Sequence, residues 1–159
     1  MRAEPSRARR ARQRPPALVA EVCSCSAVRQ AARHLSRLYD EALAPAGVSL
    51  NQYSILSKLE RFGLQTLAAL AERLIMERST LGHLVRPLQA RGLIDILHSR
   101  TDGRQRLICL AKPGVALLRT ARPLWAGAER RFAHSFGPRQ AAALRLLMRE
   151  VTRVRRKTG

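Results

Sequence analysis

At 159 residues the chain is long enough for one domain with a substantial core and too short for two. Its 30 basic against 11 acidic residues give a net charge of +19, and with +5 in residues 1–16 and +4 in residues 152–159, +10 remains between them, so the body of the chain is itself basic and suits a polyanion such as nucleic acid. No apolar run reaches the ~20 residues of a membrane span, and none follows the Arg-rich start as in a secretion signal, so the expectation is a cytoplasmic protein with no membrane partner.

Apolar residues make up 46% of the chain but aromatics only 4%; the excess is Ala and Leu, which favours helix. Residues 1–21 open with MRAEPSRARRARQRPP and are expected to form a disordered basic arm. From Val22 the chain gains a helical period, with Val28, Ala31, Ala32, Leu35, Leu38, Tyr39 and Ala42 on one stripe, until Pro45 and Gly47 stop it. A second helix is predicted from about Gln52 to Arg61 with Ile55, Leu56 and Leu59 inward, closed by Gly63. Thr66 is a candidate N-cap for a short helix carrying Leu67, Leu70, Ala71 and Leu74. After a tight connection at Ile75 and Met76, a helix from about Glu77 to Arg91 turns Leu81, Leu84, Val85 and Leu88 to the core, and two short helices so joined make a helix-turn-helix.

Beyond Gly92 the period moves towards two, in 93–98 and again in 106–110, and the Asp102-Gly103 pair between them predicts a hairpin with a basic tip. Cys109, in phase with Leu107, is assigned to the core. Helices over about 113–135 and 138–155 complete the chain; Pro123 is expected to kink the first, and the second carries Leu144, Leu147, Met148, Val151 and Val154 as its stripe. Residues 156–159 form a basic tail. The fold class is therefore mainly α with a small β-hairpin wing.

The segments LAALAERLIMERSTLGHLVRPLQARGLI (67–94) and TDGRQRLICLAKPG (101–114), at this spacing, resemble the paired helices and the wing of the MarR family of bacterial regulators. PLW at 123–125 and the Cys-x-Cys ahead of the first helix are similar to one subgroup. The resemblance runs over residues 22–155. It implies a single domain in which a winged helix-turn-helix (about 50–112) is flanked by N- and C-terminal dimerisation helices (about 22–44 and 113–155). It also implies a transcription regulator rather than an enzyme, binding double-stranded DNA at a palindromic operator as a homodimer. Four positions depart from the family pattern: Ala111 and Glu77 are poor helix caps, Gly103 replaces a frequent wing Arg, and Pro87 lies inside the recognition helix, where it removes a hydrogen bond to residue 83 and should bend it.

If Leu81, Leu84, Val85 and Leu88 face inward, Arg78, Ser79, Gly82, His83 and Arg86 face outward together. Such a face fits a major groove, with Arg suited to guanine and Ser79 or Thr80 to phosphate or a base edge. Arg100 and Arg104 on the hairpin would enter the flanking minor groove, Asp102 orienting Arg104. The competing reading is an ordinary solvated face, and for the whole chain a basic, non-specific nucleic-acid-binding protein of the nucleoid or ribosome.

The resemblance further implies a repressor released by a small aromatic effector bound between the dimer helices and the DNA-binding lobe. Tyr39, Tyr53 and Trp125 are candidates either to line that cleft or to serve as core aromatics. Cys23 and Cys25 are open to three readings: apolar filler, a redox pair, or metal binding, the last without a ligand set at zinc spacing. Three cysteines make no disulfide framework. No cofactor or metal is expected, and no triad or elbow motif supports catalysis.

Overall fold

The computed structural model describes residues 23–98 and 106–154. They belong to two compact units, residues 1–34 and 35–159. In the first, Cys23 precedes helix α1 (Ser24–Leu43), and its carbonyl accepts from the Ala27 amide at 3.1 Å, opening the helix. No residue from Ser24 to His34 is buried. The expected basic arm, residues 1–21, lies outside the described residues.

The second unit takes the remainder of α1, whose buried residues are Tyr39 and Leu43. A 3-10 turn (Ala44–Ala46) ends in Gly47, at φ +67, a left-handed conformation that costs glycine nothing. Helix α2 (Leu50–Phe62) begins two residues before the predicted start because Ser49 and Gln52 form a capping box: the Gln52 amide donates to the Ser49 hydroxyl at 3.3 Å, and the Ser49 amide donates to the Gln52 side chain at 3.1 Å. The Leu50 amide donates to Asp40 Oδ1 at 2.6 Å, fixing α2 to the end of α1.

Helix α3 (Leu67–Leu74) is capped by Thr66, whose hydroxyl accepts from the Ala69 amide at 3.0 Å. Helix α4 (Arg78–Ala90) follows after three residues. Strands β2 (Ile94–His98) and β3 (Arg106–Leu110) pair antiparallel from Ile94↔Leu110 to His98↔Arg106, the register of a hairpin. The sheet has a third strand that periodicity did not reveal: β1 (Gln65–Thr66) pairs with β3, giving the order β1-β3-β2. Helices α5 (Lys112–Phe136) and α6 (Pro138–Arg153) complete the chain. Both α4 and α5 continue past their internal prolines, Pro87 and Pro123. No helix among the described residues is long and apolar enough to cross a membrane.

The core joins Leu43, Ile55, Leu56 and Leu59 to Leu70 of α3, Leu81 and Leu88 of α4, Ile94 and Ile108 of the sheet, and Leu118 of α5, each less than 2% exposed. The α2 and α4 stripes are thus buried as their spacing predicts, with Leu84 half-buried. In β3 the phase is the reverse of expectation: Ile108 is buried in the core and Leu110, two residues on, packs against it, whereas Leu107 and Cys109 on the other face are half-buried. Cys109 therefore stands at the edge of the core, its sulfur 3.9 Å from the Asp95 carbonyl.

Candidate nucleic-acid interface

The two helices of the helix-turn-helix are set at an angle by the residue between them. Ile75 takes φ +53, the one positive φ at a non-glycine residue among those described, and its amide donates to the Glu72 carbonyl at 3.1 Å. Met76 then donates to Ala71 at 2.9 Å. This closes α3 and launches α4 in a new direction with its stripe of Leu81, Val85 and Leu88 directed into the core. At its other end α4 is anchored by Arg91, whose guanidinium donates to the Gly47 carbonyl at 2.8 Å.

With that stripe buried, Arg78, Ser79, Thr80, His83 and Arg86 are all exposed and Gly82 half-exposed. No carboxylate lies between Arg78 and Ala90. Among the described residues neither Arg78 nor Arg86 is held in an ion pair. Glu77 is the N-cap, but its side chain makes no capping bond; its carbonyl accepts from the Leu81 amide at 3.0 Å. The first amides of α4 are therefore not covered by a side chain, and together with the helix dipole and Arg78 they make this end attractive to a phosphate.

Beside this face runs a cleft of about 210 Å³ between α4 and the sheet, bordered by Arg86 from the helix and Arg106 from β3. Arg106 is an exposed basic residue that the sequence reading missed, although its place as first strand residue after the Asp-Gly turn was a usable signal. Arg100, Asp102 and Arg104 lie outside the described residues. The hairpin register places the segment that carries them between His98 and Arg106.

Two larger clefts lie elsewhere in the second unit. One, about 370 Å³, is lined by Leu35, Tyr39, Glu129, Phe132, Leu144 and Arg145 among others. Here the Tyr39 hydroxyl donates to Glu129 Oε2, and Arg145 donates to Glu129 Oε1 at 2.7 Å. Burial pushes the Tyr39 hydroxyl well above the usual tyrosine range; its bond to Glu129 and that carboxylate's charge add to the shift, and Arg145 opposes it. The other cleft, about 550 Å³, lies between the α3–α4 turn and the end of α6, with Glu72 and Glu77 among its lining. Tyr53 and Trp125 belong to neither: they stack at 5.9 Å against the core. The Tyr39–Glu129–Arg145 group was invisible to local pattern, since its members come from three helices; that Glu129 is the sole acid of α5 was the one hint.

Cys23 and Cys25 are both free thiols and both exposed, so neither fills a core in the single chain. Because Cys23 precedes the helix, the two do not share one helical turn.

A model of the MarR family matches residues 48–105, the stretch from the start of α2 to the wing. No curated protein matches by sequence. Among solved structures, the chain is similar to the transcriptional regulator MosR of M. tuberculosis in complex with DNA, at 32% identity over 84% of this chain and 99% of that one, with a TM-score of 0.72. It shares its fold with BpsR of Bordetella bronchiseptica, whose DNA binding is regulated by 6-hydroxynicotinic acid (20% identity, 87% and 98% covered, TM-score 0.76). It also shares it with PcaV of Streptomyces coelicolor in complex with its natural ligand (22% identity, 84% and 94% covered, TM-score 0.75). With the helix-turn-helix, the paired strands of the wing and a full-length match to MosR, the chain belongs to the MarR family of transcriptional regulators.

Proposed function

We propose that the chain is a sequence-specific, homodimeric repressor whose recognition surface is the N-terminal half of α4. The observation that carries this reading is the exposed, carboxylate-free face of Arg78, Ser79, Thr80, His83 and Arg86 behind the buried Leu81, Val85 and Leu88. Arg78 and Arg86 read base edges in the major groove, Ser79 and Thr80 hold phosphate, and Arg100 and Arg104, oriented by Asp102, reach the adjacent minor groove. A dimer built from α1, α5 and α6 sets two such faces about 34–36 Å apart, which calls for a palindrome. In domain terms, residues 22–155 act as one functional domain between a basic arm and tail.

The trigger for release is a small aromatic acid. BpsR, regulated by 6-hydroxynicotinic acid, provides the precedent, and the cleft beside Tyr39 has the chemistry for one, with Arg145 and Arg149 for a carboxylate and Leu35 and Phe132 for a ring. The cleft that contains Glu72 and Glu77 would repel it. A second trigger, oxidation at Cys23 and Cys25, is favoured by the exposure of both thiols.

The test is to select a high-affinity duplex from a random pool and measure specific and non-specific affinity at one salt concentration for wild type and Arg78→Ala. A bidentate base contact is worth roughly 1–3 kcal/mol, so the ratio should fall about 5- to 150-fold in the variant. An unchanged ratio removes Arg78 from the reading face, and a wild-type ratio near one favours a non-specific packaging protein. Peroxide that releases wild type but not Cys23→Ser/Cys25→Ser supports the redox trigger, whereas equal behaviour of the two proteins rules it out.

A further inference from the structure

The cation–π contacts among the described residues converge on a single ring. Phe62, the last residue of α2, is 36% exposed. The Arg73 guanidinium lies over it at 4.1 Å from the centroid, the Arg61 guanidinium at 5.2 Å and Lys58 Nζ at 5.8 Å. Such contacts occur about once per 70–80 residues in proteins, so three on one ring is a gathered cluster and not a chance encounter. Lys58 and Arg61 come from the same helix as the ring, but Arg73 reaches across from α3.

The cluster is held in place by Gln65. Its Oε1 accepts from Arg73 Nε at 3.0 Å, while its Nε2 donates to the Phe62 carbonyl at 3.0 Å and the Leu64 carbonyl at 2.8 Å. No carboxylate neutralises it: the ion pairs among the described residues are Arg122–Glu60, Arg145–Glu129 and Arg153–Glu150. Glu60, the acid closest in sequence to Arg61, is thus engaged by Arg122 on another helix. Three like charges around one small ring repel one another, and an anion is what would relieve that repulsion. A guanidinium that uses its face on a ring keeps edge N–H donors for an anion with several oxygens; Arg73 has given only Nε to Gln65.

The position of the cluster names the anion. Gln65 lies in β1, paired with Ile108 of the wing strand β3. Arg73 lies in the last turn of α3, just ahead of the recognition helix. We propose that Lys58, Arg61 and Arg73, arrayed on Phe62, form a second polyanion contact that takes backbone phosphates of DNA flanking the bases read by α4. This rests on the DNA-binding reading above and adds a contact that α4 and the wing do not supply.

Salt dependence tests it without knowledge of the operator, because the phosphate contribution is independent of sequence. A fluorescently labelled duplex of arbitrary sequence is titrated with the full chain between about 50 and about 200 mM salt. Each phosphate contact contributes about 0.9 to the slope of log affinity on log salt. Over this fourfold range, the affinity loss of Arg61→Ala/Arg73→Ala should therefore be smaller than wild type's by about 3.5-fold for each contact removed. Arg61→Lys/Arg73→Lys keeps the charge and should largely restore the slope. Arg61→Gln/Arg73→Gln, checked by circular dichroism, replaces the alanine variant if that one fails to fold. A variant slope equal to wild type's overturns the proposal and leaves the α4 face standing. Absence of any salt-dependent binding by wild type overturns the DNA-binding reading instead. In a third arm inorganic phosphate is added at constant ionic strength. If it raises the melting temperature of wild type but not of the glutamine variant, and their DNA slopes agree, the cluster serves free phosphate and the DNA assignment is wrong.

Discussion

Gly114, in the first turn of α5, is the described glycine whose Cβ position is blocked most closely by backbone, and substituting it probes how the C-terminal helices are joined to the DNA-binding lobe. A Cβ built there would stand 2.2 Å from the Leu93 carbonyl oxygen, 3.1 Å from its carbon and 2.7 Å from Leu110 Cδ1. The leucine methyl can turn aside. The carbonyl cannot, because it belongs to the turn between α4 and β2 and accepts from the Ala111 amide at 3.1 Å. Gly114→Ala must therefore push the start of α5 away from that turn by about 1 Å, to reach an ordinary carbon–oxygen separation of ~3.3 Å. Overpacking typically costs 1–3 kcal/mol, and a backbone obstacle puts this case at roughly 3. Weakening the Ala111–Leu93 bond adds about 1 kcal/mol. For a chain of this size each kcal/mol lowers Tm by about 2–4 °C, so the expected drop is on the order of 8–16 °C. Gly82→Ala is the control: nothing lies within 4 Å of its Cβ position, so the gain in helix propensity should stabilise by about 0.5–1 kcal/mol. Urea melts of the two variants decide the matter, and a Gly114→Ala protein within about 0.5 kcal/mol of wild type would refute the reasoning.

Ile75→Gly should raise stability, by up to about 1 kcal/mol in urea melts, since it relieves a left-handed β-branched residue that is 73% exposed; a loss would show that the side chain is held by something outside the single chain. Tyr39→Phe leaves Glu129 to Arg145 alone and should cost roughly 1.5–3 kcal/mol at neutral pH, measured the same way. Because the Tyr39 pKa is raised in the folded state, its contribution is fully present below the ordinary tyrosine pKa of about 10 and declines as pH rises above it, where only the unfolded chain ionises. The alkaline loss of stability should accordingly be shallower in Tyr39→Phe, and parallel curves would show that Tyr39 is not the titrating group. Arg104→Ala should weaken operator binding through the wing while sparing base preference at the α4 contacts; an altered base preference would put Arg104 in the wrong groove.

Elements whose partners lie close in sequence, or whose stripe meets the core of this same chain, were readable from the residues. Ile55, Leu56 and Leu59 of α2, and Leu81, Val85 and Leu88 of α4, are buried as their spacing demands. The face opposite the α4 stripe follows from helical geometry alone, which is why Arg78, Ser79, His83 and Arg86 emerge exposed and Gly82 half-exposed. The Ser49–Gln52 capping box was also written locally but passed over, and the helix start was misplaced by two residues. What escaped depends on distant pairing. β1 is two residues long and exists only because β3 lies beside it, more than forty positions later. The same distance defeats the Tyr39–Glu129–Arg145 group and the Arg73 contact to Phe62. The phase of β3 failed because alternation fixes which residues share a face and not which face is buried.

The stripe of α6 is the instructive exception, since the sequence predicts its helix correctly and the single chain covers the stripe only in part, half-burying Leu144 and Met148 and leaving Leu147, Val151 and Val154 exposed. Of sixteen residues only Ala141 is buried, while Leu146 and Leu147 are each 60% exposed, Val151 51% and Val154 76%. Full burial of such a side chain contributes on the order of 1.5–3 kcal/mol, less whatever is already covered. Four on each of two copies would thus supply roughly 7–15 kcal/mol, comparable with the 4–15 kcal/mol that association costs. Net charge works against this: two chains of +19 repel each other, and added salt screens that repulsion. Salt weakens the DNA contacts by the same physics, through counterion release. Dimerisation and DNA binding should therefore respond to ionic strength in opposite directions. If, as proposed, apolar α6 contacts supply the dimer and basic α4 contacts the DNA affinity, a loss of DNA binding at high salt is not in itself a sign that the dimer has come apart.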